Sequence, residues 1–371
     1  MMRTLLRRFA LPFTLLCFAL LAAAQPITKE QKDEVLKELE KIMLERAFVP
    51  GVDFSKWPEH LAKRREDIDK AEDQPSFVSA VNRSLRDFGV SHINLRTPRA
   101  RESRRTNQTI GVGLMCIKTD GGLLVRGTFP KSPADEAGIK EGEVIIEVDG
   151  KAPESPAVLN GEEGTEVSVK VKGVDGATRE LKLPRKKFST LRQDTLTFVG
   201  DDAAVLKINS FSNGYDRKLI EGFVSDAKAK AKYLVLDLRN NGGGAVANLR
   251  HLLSLLLPEG AEIGTFVSRY TAKTYKEEKG EDTADLVELA KFAKARFTAG
   301  KADTKFEGKV AVLINGRSGS ASEIAAAALR EKLKAPLIGS KSAGAVLASV
   351  YGNLPYQFEC QYPVQDYVTI E

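Results

Sequence analysis

An α/β layered domain preceded by a small β domain and a helical unit is the architecture the sequence predicts, and three observations predict it. From Leu196 onward apolar strand-like runs alternate with helical patterns; from Ile110 to Leu183 short alternating runs are separated by Gly and Asp turns; and from Thr28 to Asp87 apolar residues recur at helical spacing. At 371 residues and 42% hydrophobic content, the chain can bury two or three cores, and nothing in its composition marks bulk disorder.

The first 24 residues stand apart. Arg3, Arg7 and Arg8 precede the apolar run Phe9 to Leu21, which ends in Ala22-Ala-Ala24 before Gln25-Pro26. This pattern predicts a cleaved secretory signal peptide over residues 1–24 and export to the periplasm, cell envelope or medium, with no stable membrane insertion afterwards. The run is shorter than the roughly 20 residues a spanning helix needs. Removing the three arginines takes the formal charge from +6 to +3, too weak a balance to imply nucleic acid. The mature chain keeps Cys116 and Cys360, expected as buried small apolar residues rather than a disulfide framework. No His/Cys cluster has zinc spacing and no acidic loop has calcium spacing, so no metal and no cofactor are expected.

In the helical unit, Val35, Leu36, Leu39, Ile42 and Met43 mark one amphipathic helix, and Gln74 to Leu85 reads as a second. The basic stretch Arg99 to Arg105 reads as a solvated linker. In the β domain, Leu123-Leu-Val125, Val144-Ile-Ile146 and Val167 to Val171 are strands, and Ser132-Pro-Ala-Asp-Glu-Ala-Gly138 carries helix start and stop signals. Beyond it, Ala204 to Ile208, Tyr233 to Asp237 and Lys309 to Ile314 read as strands, with helices near Tyr215 to Lys230, Ala245 to Leu257 and Glu323 to Lys334. The lysine-rich region from Lys273 to Lys305 reads as a partly helical surface insertion.

Two turns in this last region carry chemistry. Asp237-Leu-Arg-Asn-Asn-Gly-Gly-Gly244 follows an apolar strand and precedes a helix, so its glycines offer unhindered backbone N–H groups to an oxyanion or a phosphate. A phosphate loop would end in Gly-Lys-Ser/Thr, which is missing. Ser318-Gly-Ser320-Ala-Ser-Glu323 also runs from strand to helix through small residues, the geometry that exposes a nucleophilic serine. Ser320 or Ser322 can equally serve as a helix N-cap with Glu323 in the first turn.

Gly111-Val112-Gly113-Leu114 and Ala137 to Gly150 together resemble the PDZ family. That resemblance implies a PDZ domain over residues 108–186, in which the backbone N–H groups of Gly111, Val112, Gly113 and Leu114 hold a substrate's C-terminal carboxylate while the peptide adds a strand. Use of this domain as a plain spacer stays open.

The two turns, with Val205 to Phe211, resemble the carboxyl-terminal processing, or tail-specific, peptidase family. The resemblance implies an α/β crotonase-like (ClpP/crotonase) catalytic domain over residues 190–371, whose closing segment and last catalytic glutamate would lie beyond residue 371; Glu371 is a weak candidate. It implies Ser320 as nucleophile and an oxyanion hole from Ala321 and Gly243 or Gly244. Lysine-type relatives carry their base roughly 25 residues after the serine; here that position is Ala345, and Lys341 is four residues off register. The histidine-type, tricorn core protease-like branch carries a Ser-His pair upstream, and Ser91-His92 matches it, within a helical N-terminal unit over 26–105. The implied enzyme is an exported serine endopeptidase acting on polypeptides with free C-termini, with His92 as base and Ser91 orienting it. An inactive peptide-binding scaffold, or a lysine-to-alanine variant of a Ser/Lys enzyme, are the alternatives.

Overall fold

The computed structural model describes residues 25–369. The expected leader of residues 1–24 and Glu371 lie outside them.

The chain opens with α1 (Lys29–Glu45), whose first turn is closed by a capping box between Thr28 and Gln31. Its buried stripe is Val35, Leu36, Leu39, Ile42 and Met43, the residues the periodicity selects. After α2 (Trp57–Ala62) and α3 (Arg65–Asp69), α4 (Gln74–Phe88) starts at the Asp73 cap with Pro75 in its first turn and stops at Gly89 in the left-handed region. The Lys32 ammonium is buried and donates to the carbonyls of Ile68, Asp69 and Ala71, which ties α1 to the end of α3. A short strand, β1 (Asn94–Arg96), follows.

The stretch Arg99 to Arg105 is not an irregular linker. It lies in α5 (Pro98–Thr106), because Thr97 caps the Ala100 N–H and Pro98 fills the first helical position. The charge run that reads as solvated is the exposed surface of this helix, with Arg104 reaching inward to a bidentate pair with Glu359.

Residues 108–189 form a β unit. Its stem is β2 (Gln108–Gly111), later closed by an antiparallel partner; its body is β3 (Leu114–Thr119), β4 (Gly122–Thr128), β5 (Val144–Val148), β6 (Glu166–Lys172) and β7 (Thr178–Pro184), an antiparallel sheet in chain order. The one-turn helix α6 (Pro133–Glu136) covers it beside a core of Leu123, Val125, Ile145, Val167 and Val171. β8 (Lys186–Ser189) returns along β2 and completes the stem.

The last region holds two sheets. β9 (Thr195–Val199), β10 (Ala203–Lys207), β11 (Tyr233–Asp237), β14 (Lys309–Ile314) and β15 (Leu337–Gly339) pair in the order β15-β14-β11-β10-β9, parallel except for β9. The crossovers are α7 (Arg217–Lys230), α8 (Val246–Ser254) and α11 (Ala321–Leu333). One face is sealed, with Ala204, Leu206, Leu234, Leu236 and Val312 fully buried, while Val205, Val235 and Ala311 on the other are only partly covered. The parallel strands therefore alternate in burial instead of being buried on both faces.

The second sheet is built from β12 (Glu262–Ser268), β13 (Phe297–Thr298), β16 (Ala348–Asn353) and β17 (Glu359–Val368) with β1, in the order β1-β17-β12-β13, and β16 also pairs with β17. Between β12 and β13, α9 (Arg269–Lys279) and α10 (Leu286–Phe292) fold the lysine-rich region around Tyr275 and Leu289. Because β1 pairs with β17, the N-terminal helices share one core with Leu354, Phe358, Cys360 and Tyr362. Among the described residues no helix is long and apolar enough to cross a membrane.

Candidate active site

β11 and β14 are adjacent and parallel, with Asp237 opposite Leu313, so the two glycine- and serine-rich turns emerge side by side at their C-terminal ends. In α/β sheets this is where ligands collect. The turns are sewn together: Leu238 N–H donates to Leu313 O at 2.9 Å, Gly319 N–H to Asn241 O at 3.1 Å, and Asn240 N–H to Asn315 Oδ1 at 3.0 Å. Asp237 folds back on Arg239; burial raises its carboxyl, and the Arg239 bonds together outweigh this and hold it below its ordinary value.

The three serines of the second turn have different tasks. Ser318 and Ser322 are fully buried, and their hydroxyls donate at 2.9 Å to the carbonyls of Leu238 and Asn241. Ser320 is half-buried, gives its hydroxyl hydrogen to no acceptor among the described residues, and lines a cavity of about 1620 Å³. Its backbone lies at φ 53°, ψ −118°, a region that costs a non-glycine residue about 1–3 kcal/mol. That strain is borne by Glu323, whose carboxylate accepts N–H bonds from Ser320, Gly344 and Ala345 at 2.7–2.9 Å, while Ser320 N–H also reaches Ala345 O at 2.8 Å. Position 345 thus serves the site through its backbone, and Lys341 is exposed.

The glycine turn divides its donors. Gly243 N–H is spent on Asn241 Oδ1 at 2.9 Å, and the Asn241 side chain in turn donates to Ile208 O. The N–H groups of Gly244 and Ala321 meet no acceptor among the described residues. Gly243 must be glycine: its φ is +99°, and a Cβ there would stand 2.7 Å from Ser320 Cβ and 3.0 Å from Ala321 N. Gly242, Gly243, Gly244 and Ser320 all line the cavity.

His92 lines the same cavity from the opposite side of the molecule's sequence. It follows the Gly89 stop of α4, adopts φ 59°, and precedes β1, where Ile93 and Leu95 point into the core while His92, Asn94 and Arg96 stay half-buried. Ser91 is exposed, and its Oγ lies 3.1 Å from His92 Nδ1. Burial pushes the imidazole below its ordinary 6.5, and the Glu323 carboxylate opposes that shift. Among the described residues no lysine lines the cavity. His251 belongs elsewhere, bonded to Tyr215 and Glu221, and His60 packs on Phe88.

Gly111, Val112, Gly113 and Leu114 do not line this cavity, although Ile110 and Met115 on either side of them do. In that loop the carbonyls turn inward, Val112 O accepting from Ala134 and Gly113 O from Phe129, and Gly113 packs so closely that a Cβ would stand 2.1 Å from Ser132 Cβ. Cys360 is buried and Cys116 half-buried; burial raises their thiols to about 12 and about 11.

Glu323, Asn241 and Asp194 shape the site without having been singled out for it in the sequence. For Glu323 a signal exists, the Ser-x-x-Glu spacing at the helix start, which reads locally as a cap. Asp194 lines the cavity and is almost fully buried; burial lifts its carboxyl to about 6, against the Asn209 N–H bond at 2.6 Å and the Arg192 charge.

Residues 202–371 match the model of peptidase family S41. The chain is 28% identical over 242 residues to a probable CtpA-like serine protease of Staphylococcus haemolyticus, covering 63% of this chain and 44% of that one. It is 27% identical over 289 residues to the carboxy-terminal processing protease CtpA of Bacillus subtilis, covering 76% and 56%. The chain spans about half the length of the curated relatives it matches. Among solved structures, the photosystem II D1 C-terminal processing protease superposes with a TM-score of 0.54 at 21% identity, over 92% of this chain and 89% of that one. Mature CPAF complexed with lactacystin gives 0.56 at 13%, over 91% of each. These superpositions share the fold.

Proposed function

We propose that this chain, whose residues 202–371 match the model of peptidase family S41, is an exported serine endopeptidase that hydrolyses peptide bonds through an acyl-enzyme. One observation carries the reading: of three serines in one strained turn, two are committed to backbone carbonyls, and the third, Ser320, opens onto a cavity it shares with His92 and, among the described residues, with no lysine.

In this reading Ser91 accepts from His92 Nδ1–H, which leaves the Nε2 lone pair for the Ser320 hydroxyl. Because burial keeps the imidazole neutral at physiological pH, it can take the Ser320 proton during attack on the peptide carbonyl and return it to the leaving amine. The new Ser320 Oγ–C bond forms as the carbonyl oxygen becomes an oxyanion, held by the uncommitted N–H groups of Gly244 and Ala321. Gly243 contributes by its lack of a side chain. Water then attacks the ester with His92 again as base, releasing the acid product.

The β unit of residues 108–186 acts in this proposal as a PDZ domain that captures substrate C-termini on the Gly111–Leu114 loop. The inward-turned carbonyls of Val112 and Gly113 support that role, since they leave the N–H side of the loop outward. The catalytic domain is taken as crotonase-like and histidine-type.

Trapping the full-length secreted protein with a fluorophosphonate tests the assignment. Labelling is expected for the wild type, lost in Ser320→Ala and strongly slowed in His92→Ala. Labelling indifferent to both substitutions would sink the peptidase reading; no labelling with peptide binding intact would leave a scaffold.

A further inference from the structure

The cavity wall that carries His92 also carries charge that the protein does not neutralise. Arg96, Arg99, Arg104 and Arg192 line the cavity, against Glu162 and Asp194. Arg104 is satisfied, forked onto Glu359 with its guanidinium 3.9 Å from the Tyr351 ring centroid. Among the described residues Arg99 donates only to the carbonyls of Ile110 and Gly161, and Arg192 only to Asn240 O at 3.5 Å.

Arg96 is the least served. Its Nε is buried without a partner, one terminal nitrogen reaches Gln361 Oε1 at 3.2 Å, and its guanidinium stands 5.5 Å from the Tyr351 ring centroid. The carboxylate opposite it in the β1–β17 register, Glu359, is forked by Arg104 and makes no ion pair with Arg96 among the described residues. Arg96 and Arg104 thus stand beside a single carboxylate, which leaves one positive charge in excess at the cavity wall that a bound carboxylate would balance.

Its register relates it to the proposed chemistry. His92 and Arg96 both belong to the partly exposed set that alternates with buried Ile93 and Leu95, His92 in the turn before β1 and Arg96 at its end, and both line the cavity. A peptide whose carbonyl is attacked beside His92 and that runs on along β1 would therefore pass Arg96 within a few residues.

We infer that Arg96 is a specificity residue that binds a carboxylate of the substrate, giving the site a preference for acidic polypeptide segments. The substrate class rests on the peptidase reading; the carboxylate site itself does not. An internal Asp or Glu and a free chain terminus offer the same chemistry, and the test separates them.

The measurement is equilibrium binding of fluorescent peptides to full-length Ser320→Ala protein, which reads affinity without turnover. Three matched peptides are compared: internal Glu with an amidated end, internal Gln with an amidated end, and internal Gln with a free end. The expected result is that one carboxylate-bearing peptide binds at least about tenfold tighter than the neutral one. Which of the two does so identifies the source. Arg96→Gln should erase the advantage while leaving the neutral peptide's affinity unchanged, and Arg96→Lys should keep part of it. Equal binding of all three peptides, an advantage that survives Arg96→Gln, or loss of neutral-peptide binding in that variant would each overturn the inference. Absence of hydrolysis by the wild type, with the carboxylate preference intact, would remove the peptidase reading and leave this one standing.

Discussion

The two walls that supply Ser320 and His92 are built in opposite ways. Ser320 stands at the end of a central parallel strand, and its turn is fixed by buried bonds from Ser318, Ser322, Asn241 and Glu323 to backbone groups. His92 hangs between a helix stop and a three-residue strand, β1, held at the edge of the second sheet by β17 and by polar contacts through Gln361. A strained nucleophile needs over-determined surroundings, because its unfavourable φ/ψ relaxes as soon as they loosen. A base needs only to be near, neutral and oriented, which a lighter mounting provides.

Ser320→Ala should have the largest effect and abolish covalent labelling, since nothing else in the turn has a free hydroxyl on the cavity. His92→Ala should slow labelling by about 10²- to 10⁴-fold, the usual contribution of a positioned base. Its thermal stability should change little, because β1 keeps Ile93 and Leu95 in the core. Equal melting losses from His92→Ala and from mutations in the serine turn would break the contrast between the walls.

On the nucleophile side, Glu323→Ala should lower stability by about 3 kcal/mol in denaturant unfolding, as three N–H donors lose a charged acceptor. Gly243→Ala should impair labelling through backbone displacement, because its Cβ would press on Ser320 and the Ala321 amide together. A variant that labels normally would show that the turn tolerates a shift the account forbids.

The smallest effect concerns Asp194. Its folded carboxyl is raised to about 6 from an ordinary 3.8, so ionising it costs stability as pH rises from about 4 through 6. The cost is absent below the unfolded value and complete above the folded one. Asp194→Asn, which keeps an oxygen for the Asn209 N–H, should therefore be more stable than wild type at pH 7–8 by about 1–3 kcal/mol and no more stable near pH 3. A stability difference independent of pH would contradict the burial argument.

The difference between the walls also marks what the sequence makes legible. Both strand-end turns are local: an apolar run, small residues and a following helix lie within a dozen positions, so β11, β14 and α11 can be recognised, and α4 announces itself through Asp73 and Pro75. The His92 wall depends on residues 94–96 pairing with residues 359–361, and no local pattern records that partnership. The shared core of Leu354, Phe358 and Cys360 with the N-terminal helices is hidden for the same reason. In α5 the Thr97-Pro98 start signal was present, but seven residues rich in arginine mask it when charge alone is read. The distinction between Gly243 and Gly244 as donors depends on where one Asn241 side chain points, which spacing does not reveal.

The central claim, that a neutral histidine on the lightly held wall activates the serine on the rigid one, is tested most directly by the pH dependence of fluorophosphonate labelling in wild type and His92→Gln. The account predicts a labelling rate that rises with pH to a plateau, with its midpoint below 6.5, and a variant in which that rise disappears along with most of the rate. A midpoint in the alkaline range, unchanged by the substitution, would contradict it and require a different base.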